Sequence, residues 1–483
     1  MILNAKQPKP AKSVTTRRLW PLVVIAAAHL MAVLDGTVMF VALPSLQHGL
    51  GMTATSRQWV VTAYTLSLSG LLLLGGRLAD RVGARRTLLA GVAGFACASA
   101  VGGASVDGTM LITARAAQGA FAALLVSSTK SLLVSVYRDE EQRARAVGIF
   151  TATLVAGAAL GAILGGVLTT ELSWRWCLYI NVPIGLIAIV GARPVLPALP
   201  ARPEVHLDWI SALLASAGMV ALVYGLGEAA SLGWRSGQIA GSLAAAAVSL
   251  TGFTVRQARG PYPLLPLRVV LDRNRGWALV ALIMNSLSTF GMMLILTYQL
   301  QSVMGYSALR TGLALMPFAA ATGLTSVLIA PEMMVRLPPR WLITVGIALS
   351  AIGLLPLVAL TPDSRYLPLI LTATVIEGIG SGLAGPPALN TALRGVLPAD
   401  TGAAAAGSSA ASQLGSSIGA ALLNTIAATA TASYLAAHTT TSIATATVHG
   451  YTTAMSWGAV ILLVTAIPIG LLINAKPPAP KAR

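Results

Sequence analysis

Gly76-Arg77-Leu78-Ala79-Asp80-Arg81-Val82-Gly83-Ala84-Arg85-Arg86 lies between two long apolar stretches, and its reading decides the fold. Four arginines, two glycines and one aspartate fill a connection too short to do more than reverse the chain. Two apolar runs joined by such a turn are antiparallel neighbours. Short loops rich in arginine stay on the cytoplasmic side of a membrane, so the same residues also give the turn its side.

The composition around this turn is that of a membrane protein. Of 483 residues, 55% are apolar and 10% charged, with a mean hydropathy of +0.77; a soluble domain carries about 25% charged residues. A helix needs about 20 apolar residues to cross a bilayer. Fourteen runs meet that need: 20–46, 57–78, 86–106, 109–136, 144–169, 176–196, 209–229, 236–256, 277–303, 310–333, 340–361, 366–392, 401–432 and 453–474. With the N-terminus placed inside, 25 of the 32 Lys and Arg fall on the cytoplasmic side. Five fall outside (Arg57, Arg175, Arg235, Arg310 and Arg365), and Arg115 and Lys130 remain within spans. That bias predicts cytoplasmic termini and an even number of spans. The first run is not a cleavable signal: it is too long, carries His29 and Asp35, and lacks a small-residue cleavage site.

Several function classes fall away. The net charge of +17 is spread over short loops, with no soluble segment large enough for a nucleic-acid recognition fold. Cys97 and Cys177 make no disulfide framework. No G-x-x-x-x-G-K-[ST] loop is present, so ATP drive is not expected. Neither an enzyme nor a cofactor is expected, and no metal site.

The chain also repeats itself. Arg336-Leu337-Pro338-Pro339-Arg340-Trp341-Leu342-Ile343-Thr344-Val345-Gly346 aligns with Arg81 to Gly91 at a constant offset of 255; the second copy lacks the aspartate. Repeated halves flanking a midplane site are how many secondary transporters are built. The expected architecture is an all-α membrane protein of fourteen helices: two six-helix bundles plus two inserted helices. The divisions are a basic tail (1–18), a first bundle (19–200), the inserted pair (201–260), a second bundle (261–475) and a short tail (476–483).

Among the ionisable residues inside spans, where charge costs several kcal/mol and marks function by default, Asp35, Arg115 and Glu377 are the functional candidates. Asp35 lies roughly 16 Å, and Arg115 roughly 9 Å, from the same membrane surface, a gap an arginine side chain can close. The pair reads either as a charge switch or as a static structural ion pair. Glu377 lies near the middle of its span, roughly 16 Å from the outer end, and reads as a proton or cation site or as a carboxyl satisfied by hydroxyl or backbone groups. Gly157, Gly161, Gly165 and Gly166 put small residues on one face of the fifth span, where helix backbones approach closely.

Several of these strings resemble a known family. The 76–86 turn resembles the loop between spans 2 and 3 of the major facilitator superfamily, G-x-L-a-D-R-x-G-r-r. Arg115 to Gly119 resembles that superfamily's R-x-x-q-G motif. Leu34 to Pro44, Trp174 to Gly185 and Leu300 to Ser307 resemble segments of its fourteen-span drug:proton antiporters, the EmrB/QacA type. The span-5 glycines resemble G-x-x-x-G-P-x-x-G-G, with Ala162 in place of the proline.

The resemblance implies export of a small lipophilic drug or antibiotic from a bacterial cytoplasmic membrane, by alternating access in exchange for protons and as a monomer. It places proton coupling or substrate charge at Asp35, Arg115 and Glu377, with Asp35 the first proton carrier and Glu377 sharing that duty or binding a cationic substrate. Gly76, Asp80, Arg81, Gly83, Arg85 and Arg86 become a gating loop, with Asp80 latching onto the helix start near Pro398 to Gly402. Met31, Met39, Tyr64, Asn181, Met292 and Tyr298 are possible cavity residues. Export or symport of a specific metabolite is the alternative, and a receptor or scaffold using a transporter fold is a third reading.

Overall fold

A chain in lipid must satisfy its backbone hydrogen bonds internally, and among the described residues this one does so with helices alone. The computed structural model describes residues 16–136, 157, 160, 161, 163–197, 208–260, 263–396, 400–438 and 440–475. Its helices are α1 (Thr16–Gly49), α2 (Ala54–Val82), α3 (Ala84–Gly103), α4 (Gly108–Val136), α5 (Ile163–Leu172), α6 (Trp176–Val195), α7 (Trp209–Leu232) and α8 (Gly237–Arg259). They continue with α9 (Arg273–Val303), α10 (Ala308–Arg336), α11 (Pro339–Ala359), α12 (Tyr366–Leu393), α13 (Thr401–Ala437) and α14 (Ile443–Leu472).

Twelve of these are long and apolar enough to cross a membrane, or thirteen with α2, which bends by 53° between Ser56–Leu72 and Leu74–Val82. The expected count of fourteen is not reached among the described residues. The fifth run, 144–169, lies largely outside them; only Gly157, Leu160, Gly161 and the segment from Ile163 onward are described.

The decisive turn is even shorter than the sequence suggests. Gly83 ends α2 and begins α3, its N–H bonded to Ala79 O at 3.0 Å and its C=O accepting from Thr87 N at 3.1 Å. Its φ of 102° is open to glycine and costly for other residues. The repeat is visible as shared packing. A Cβ on Gly91 of α3 would meet Leu125 N of α4 at 2.8 Å, and one on Gly346 of α11 would meet Ala384 N of α12 at 2.6 Å. Each repeat's closing glycine therefore lets the next helix approach to backbone contact.

The two ends of the bundle differ, and are named here for Arg57 and Arg77. At the Arg57 end, Phe40, Leu43 and Leu46 of α1 and Val60 of α2 join one core with Met292 and Leu296 of α9 and Met455 of α14. At the Arg77 end the first half has a core of its own, from Ile25, Leu72, Leu88, Phe95, Leu125 and Ala192. The halves are thus fused at one end and separately packed at the other.

α7 lies along the seam between the halves. Trp59 of α2 donates to Glu228 Oε1 at 3.1 Å, and Thr425 of α13 donates to Leu226 O and Gly227 O at 2.8 and 3.0 Å. α8 packs on α7, with Ser242 donating to Ala221 O at 2.6 Å.

Candidate functional site

Asp35 and Arg115 meet. α1 and α4 carry them to one point in the first half, where each is 1% exposed. Arg115 Nη1 donates to Asp35 Oδ2. The same nitrogen reaches Gln118 Oε1 at 3.0 Å, while Nε donates to Val60 O at 3.0 Å. Asp35 Oδ1 accepts from Gln118 Nε2 at 3.1 Å and Asn181 Nδ2 at 2.9 Å. Gln118 also donates to Ser99 Oγ at 2.6 Å, and the guanidinium lies 4.4 Å over the Tyr64 ring. Five helices (α1, α2, α3, α4 and α6) converge on one neutralised carboxylate. Such a pair stabilises little by itself, but stranding either charge costs about 3–5 kcal/mol.

Glu377 of α12 lies in the second half and is also fully buried. Its Oε1 accepts from Thr289 Oγ1 of α9 at 3.1 Å. Its Oε2 has no hydrogen-bond partner.

The gating-loop residues sit at the Arg77 end. Asp80, Arg81 and Arg86 are exposed, Gly76 is half-buried, and Arg85 Nη2 donates to Arg193 O. Arg77 donates to Pro263 O at 2.9 Å, tying α2 to the segment that leads into the second half. The expected latch lies in part on 397–399, outside the described residues. At the start of α13, Asp400 accepts from Arg268 Nε and Nη2 at 2.8 and 3.1 Å. Those bonds, with Arg77 and Arg275 nearby, hold its carboxyl below the usual carboxylate range.

The span-5 glycines pack as small residues must. A Cβ would strike Leu30 at Gly157, Thr37 at Gly161 and the backbone of Val38 at Gly165, all on α1. At Gly166 it would meet Leu309 of α10 at 2.5 Å.

Comparison with known proteins places the chain. Residues 25–420 match the Major Facilitator Superfamily. The chain belongs to that superfamily. It is 43% identical over 464 residues to the puromycin resistance protein pur8 of Streptomyces alboniger, covering 95% of this chain and 92% of that protein. It is 40% identical to the cephamycin export protein CmcT of Amycolatopsis lactamdurans (79% of each chain) and 35% identical to the methylenomycin A resistance protein of Bacillus subtilis strain 168 (74% and 76%). Among solved structures, an inward-facing bacterial homologue of the human lysosomal transporter Spinster aligns with a TM-score of 0.66 at 16% identity, over 97% of this chain and 100% of that one. That likeness shows the fold. This Major Facilitator Superfamily protein is therefore a multi-pass membrane transporter and not an enzyme, and its relatives are consistent with the drug:proton antiporter branch.

The six possible cavity residues of this transporter are buried in the state seen. Met31 belongs to the first-half core, and Met39 and Met292 to the fused core. Tyr64 and Asn181 are part of the Asp35 network. Tyr298 lies under Arg57, whose guanidinium is 3.5 Å from the ring and whose Nη1 donates to Gln47 Oε1 at 2.8 Å. Arg57 on α2 thus reaches across to α9, and Gln301 of α9 returns the contact by donating to Val41 O of α1 at 2.9 Å. Sequence reasoning gave Arg57 no role beyond its side of the membrane, and none to Gln118 beyond its motif. Gln118 was findable, since it follows Arg115 by three residues and shares its helix face. The clasp of Arg57 was not, because its partners lie on α1 and α9.

Proposed function

We propose that this chain is a fourteen-helix exporter of a lipophilic drug or antibiotic, working as a monomer in the bacterial cytoplasmic membrane by proton-driven alternating access. The observation that carries this reading is its likeness to antibiotic resistance and export proteins, over 95% of its length in one case. The buried charges of Asp35, Arg115 and Glu377 support the coupling, since ionisable groups in membrane spans are costly and mark ion pathways. Each proton entering down 100 mV supplies about 2.3 kcal/mol.

The charge bias puts both termini and the Arg77 end in the cytoplasm, so the fused core and the Arg57 clasp close the outer face. Substrate enters between the separately packed cores at the inner end. Rocking of the halves uncovers Met31, Met39, Tyr64, Asn181, Met292 and Tyr298, and the 76–86 loop closes the inner end, with Asp80 docking at the start of α13. A carboxylate at a helix N-terminus gains about 0.3–1 kcal/mol.

The test is the susceptibility of an exporter-deficient bacterial host to a panel of antibiotics and cationic dyes. Expression should raise the inhibitory concentration of at least one compound, and Asp35→Asn should abolish the rise. Unchanged susceptibility to the whole panel, with the protein verified in the membrane, refutes the drug-export reading.

A further inference from the structure

The two buried acids are neutralised in different ways. Asp35 has everything a carboxylate needs within the protein: Arg115 balances its charge, and Gln118 and Asn181 donate to Oδ1. Glu377 has one donor, Thr289 Oγ1, and an open Oε2. Among the described residues no lysine, arginine or histidine pairs with it. On the α11 side Gly353 packs against its backbone, where a Cβ would meet Glu377 N at 2.6 Å.

A carboxylate left bare in such a place costs several kcal/mol. The niche supplies no positive charge, so the neutralising charge comes from outside the protein. Ser288 Oγ of α9 is fully buried beside the carboxyl, and neither it nor Oε2 makes a hydrogen bond of normal geometry. Hydroxyls can donate to the carboxylate but cannot balance its charge, whereas a proton on Oε2 removes the charge and still leaves an O–H to pair with Ser288. Ser381 adds a third hydroxyl, its Oγ 3.4 Å from Thr289 Oγ1. Ca²⁺, which takes about 6–8 oxygens, would need more than the carboxylate and the hydroxyls of Ser288, Thr289 and Ser381 supply.

The repeat adds a symmetry argument. The 255-residue offset carries Asp35 onto Phe290, next to Thr289, and α4 onto α12. Each half therefore holds an acid between equivalent helices, with a built-in cation in the first half and none in the second.

Resting on the proton-antiport reading above, we infer that Glu377 is the residue that carries the transported proton, and that Asp35 with Arg115 is a positioning unit which stays charged throughout the cycle. The step is a simple proton transfer. An O–H bond forms on Oε2 when the niche faces one side and breaks when it faces the other, and no electrons change hands.

Difference infrared spectroscopy of the purified full chain reads this without a substrate. A protonated-carboxyl band should respond to pH in the wild type, persist in Asp35→Asn and vanish in Glu377→Gln. Persistence of the band in Glu377→Gln overturns the assignment, and so does its displacement when choline chloride is replaced by sodium chloride, which marks a sodium site. Should Glu377→Gln not fold, Thr289→Val keeps the acid and removes its donor; the band must then move, and an unmoved band overturns the assignment. In proteoliposomes with puromycin as the probe, Glu377→Gln should lose the acceleration of transport by a pH gradient. A wild type that ignores the pH gradient while its band behaves as expected refutes the antiport reading and leaves Glu377 as a proton site.

Discussion

Removing either charge of the Asp35–Arg115 pair tests whether the two act as a unit. In Asp35→Asn the volume scarcely changes, but Arg115 keeps its charge with only neutral partners: Val60 O, Gln118 Oε1 and the Tyr64 ring. An uncompensated buried charge costs about 3–5 kcal/mol. Arg115→Gln strands Asp35 instead. The carboxylate keeps the amide donors Gln118 and Asn181 but has no cation, and the expected loss falls in the same range of about 3–5 kcal/mol. Independent effects would add to about 6–10 kcal/mol in the double variant. Here each single loss is the stranding of the other charge, so the double variant should lose no more than either single, a coupling of at least about 3–5 kcal/mol. Cys177 provides the readout, being a free thiol that is fully buried. A thiol-reactive fluorophore reports its exposure on heating, in a Cys97→Ser background that removes the exposed thiol. The melting temperature should rank wild type highest, the double variant next and both singles lowest. A double variant whose drop equals the sum of the singles refutes the unit.

Gly161→Val places a side chain on Thr37 and should cost about 1–3 kcal/mol or prevent folding, whereas Gly76→Ala meets nothing within 4 Å and should gain up to about 1 kcal/mol; yields of monodisperse protein separate the two, and equal yields contradict the packing argument. Asp80→Asn should leave the amount of folded protein unchanged and slow export; wild-type rates under the same proton gradient dismiss the gate. The Asp400 carboxyl is held down by its bonds to Arg268, so the stability it contributes is present above its unfolded value of about 3.9 and is lost as pH falls through the lower folded value. The melting difference between wild type and Asp400→Asn should therefore shrink on acidification below about pH 4, and a constant difference rules the linkage out. Arg235→Cys should react with an impermeant thiol reagent in intact cells and Arg81→Cys should not; the reverse pattern inverts the topology.

What the sequence made legible followed from local rules. Apolar runs became helices because lipid leaves the backbone no alternative. The glycines of α5 touch α1 and α10 because small residues mark close approach. The Asp35–Arg115 pair was accessible from depth alone, since each helix has a known rise and end. Resemblance then supplied the roles. The features that escaped depend on which helices face each other across the seam, a property no single span encodes. Gln58 donates nothing its own helix would reveal; its Oε1 accepts from Asn424 of α13 at 2.8 Å. The position of α7 against both α2 and α13 was likewise invisible, because hydropathy tells a lipid-facing helix from a loop and not a bridging helix from a peripheral one.

The two kinds of seam in the molecule differ in a way that bears on how it moves. Within each half, helices meet at glycines whose Cβ would strike backbone: Gly75 against Ala123 and Gly119 against Tyr64 in the first half, and Gly378 against Phe318, Gly415 against Ile283 and Gly419 against Leu287 in the second. Such contacts hold only in register, because a small slide replaces each glycine with a larger residue. Between the halves, away from the shared apolar core, there are exchangeable side-chain hydrogen bonds, as between Thr65 and Ser417 at 2.6 Å and between Gln58 and Asn424 at 2.8 Å. Each of these is worth about 0.6 kcal/mol in a membrane. The close contact of Gly166 with Leu309 is an exception, and it lies at the end where the two cores are fused. On the alternating-access reading proposed above, a bundle with locked seams inside its halves and exchangeable bonds between them would move as two rigid bodies. On that reading the fused end would be the gate that parts, and α7, hydrogen-bonded to α13 through Thr425 at that end, would release it or travel with it.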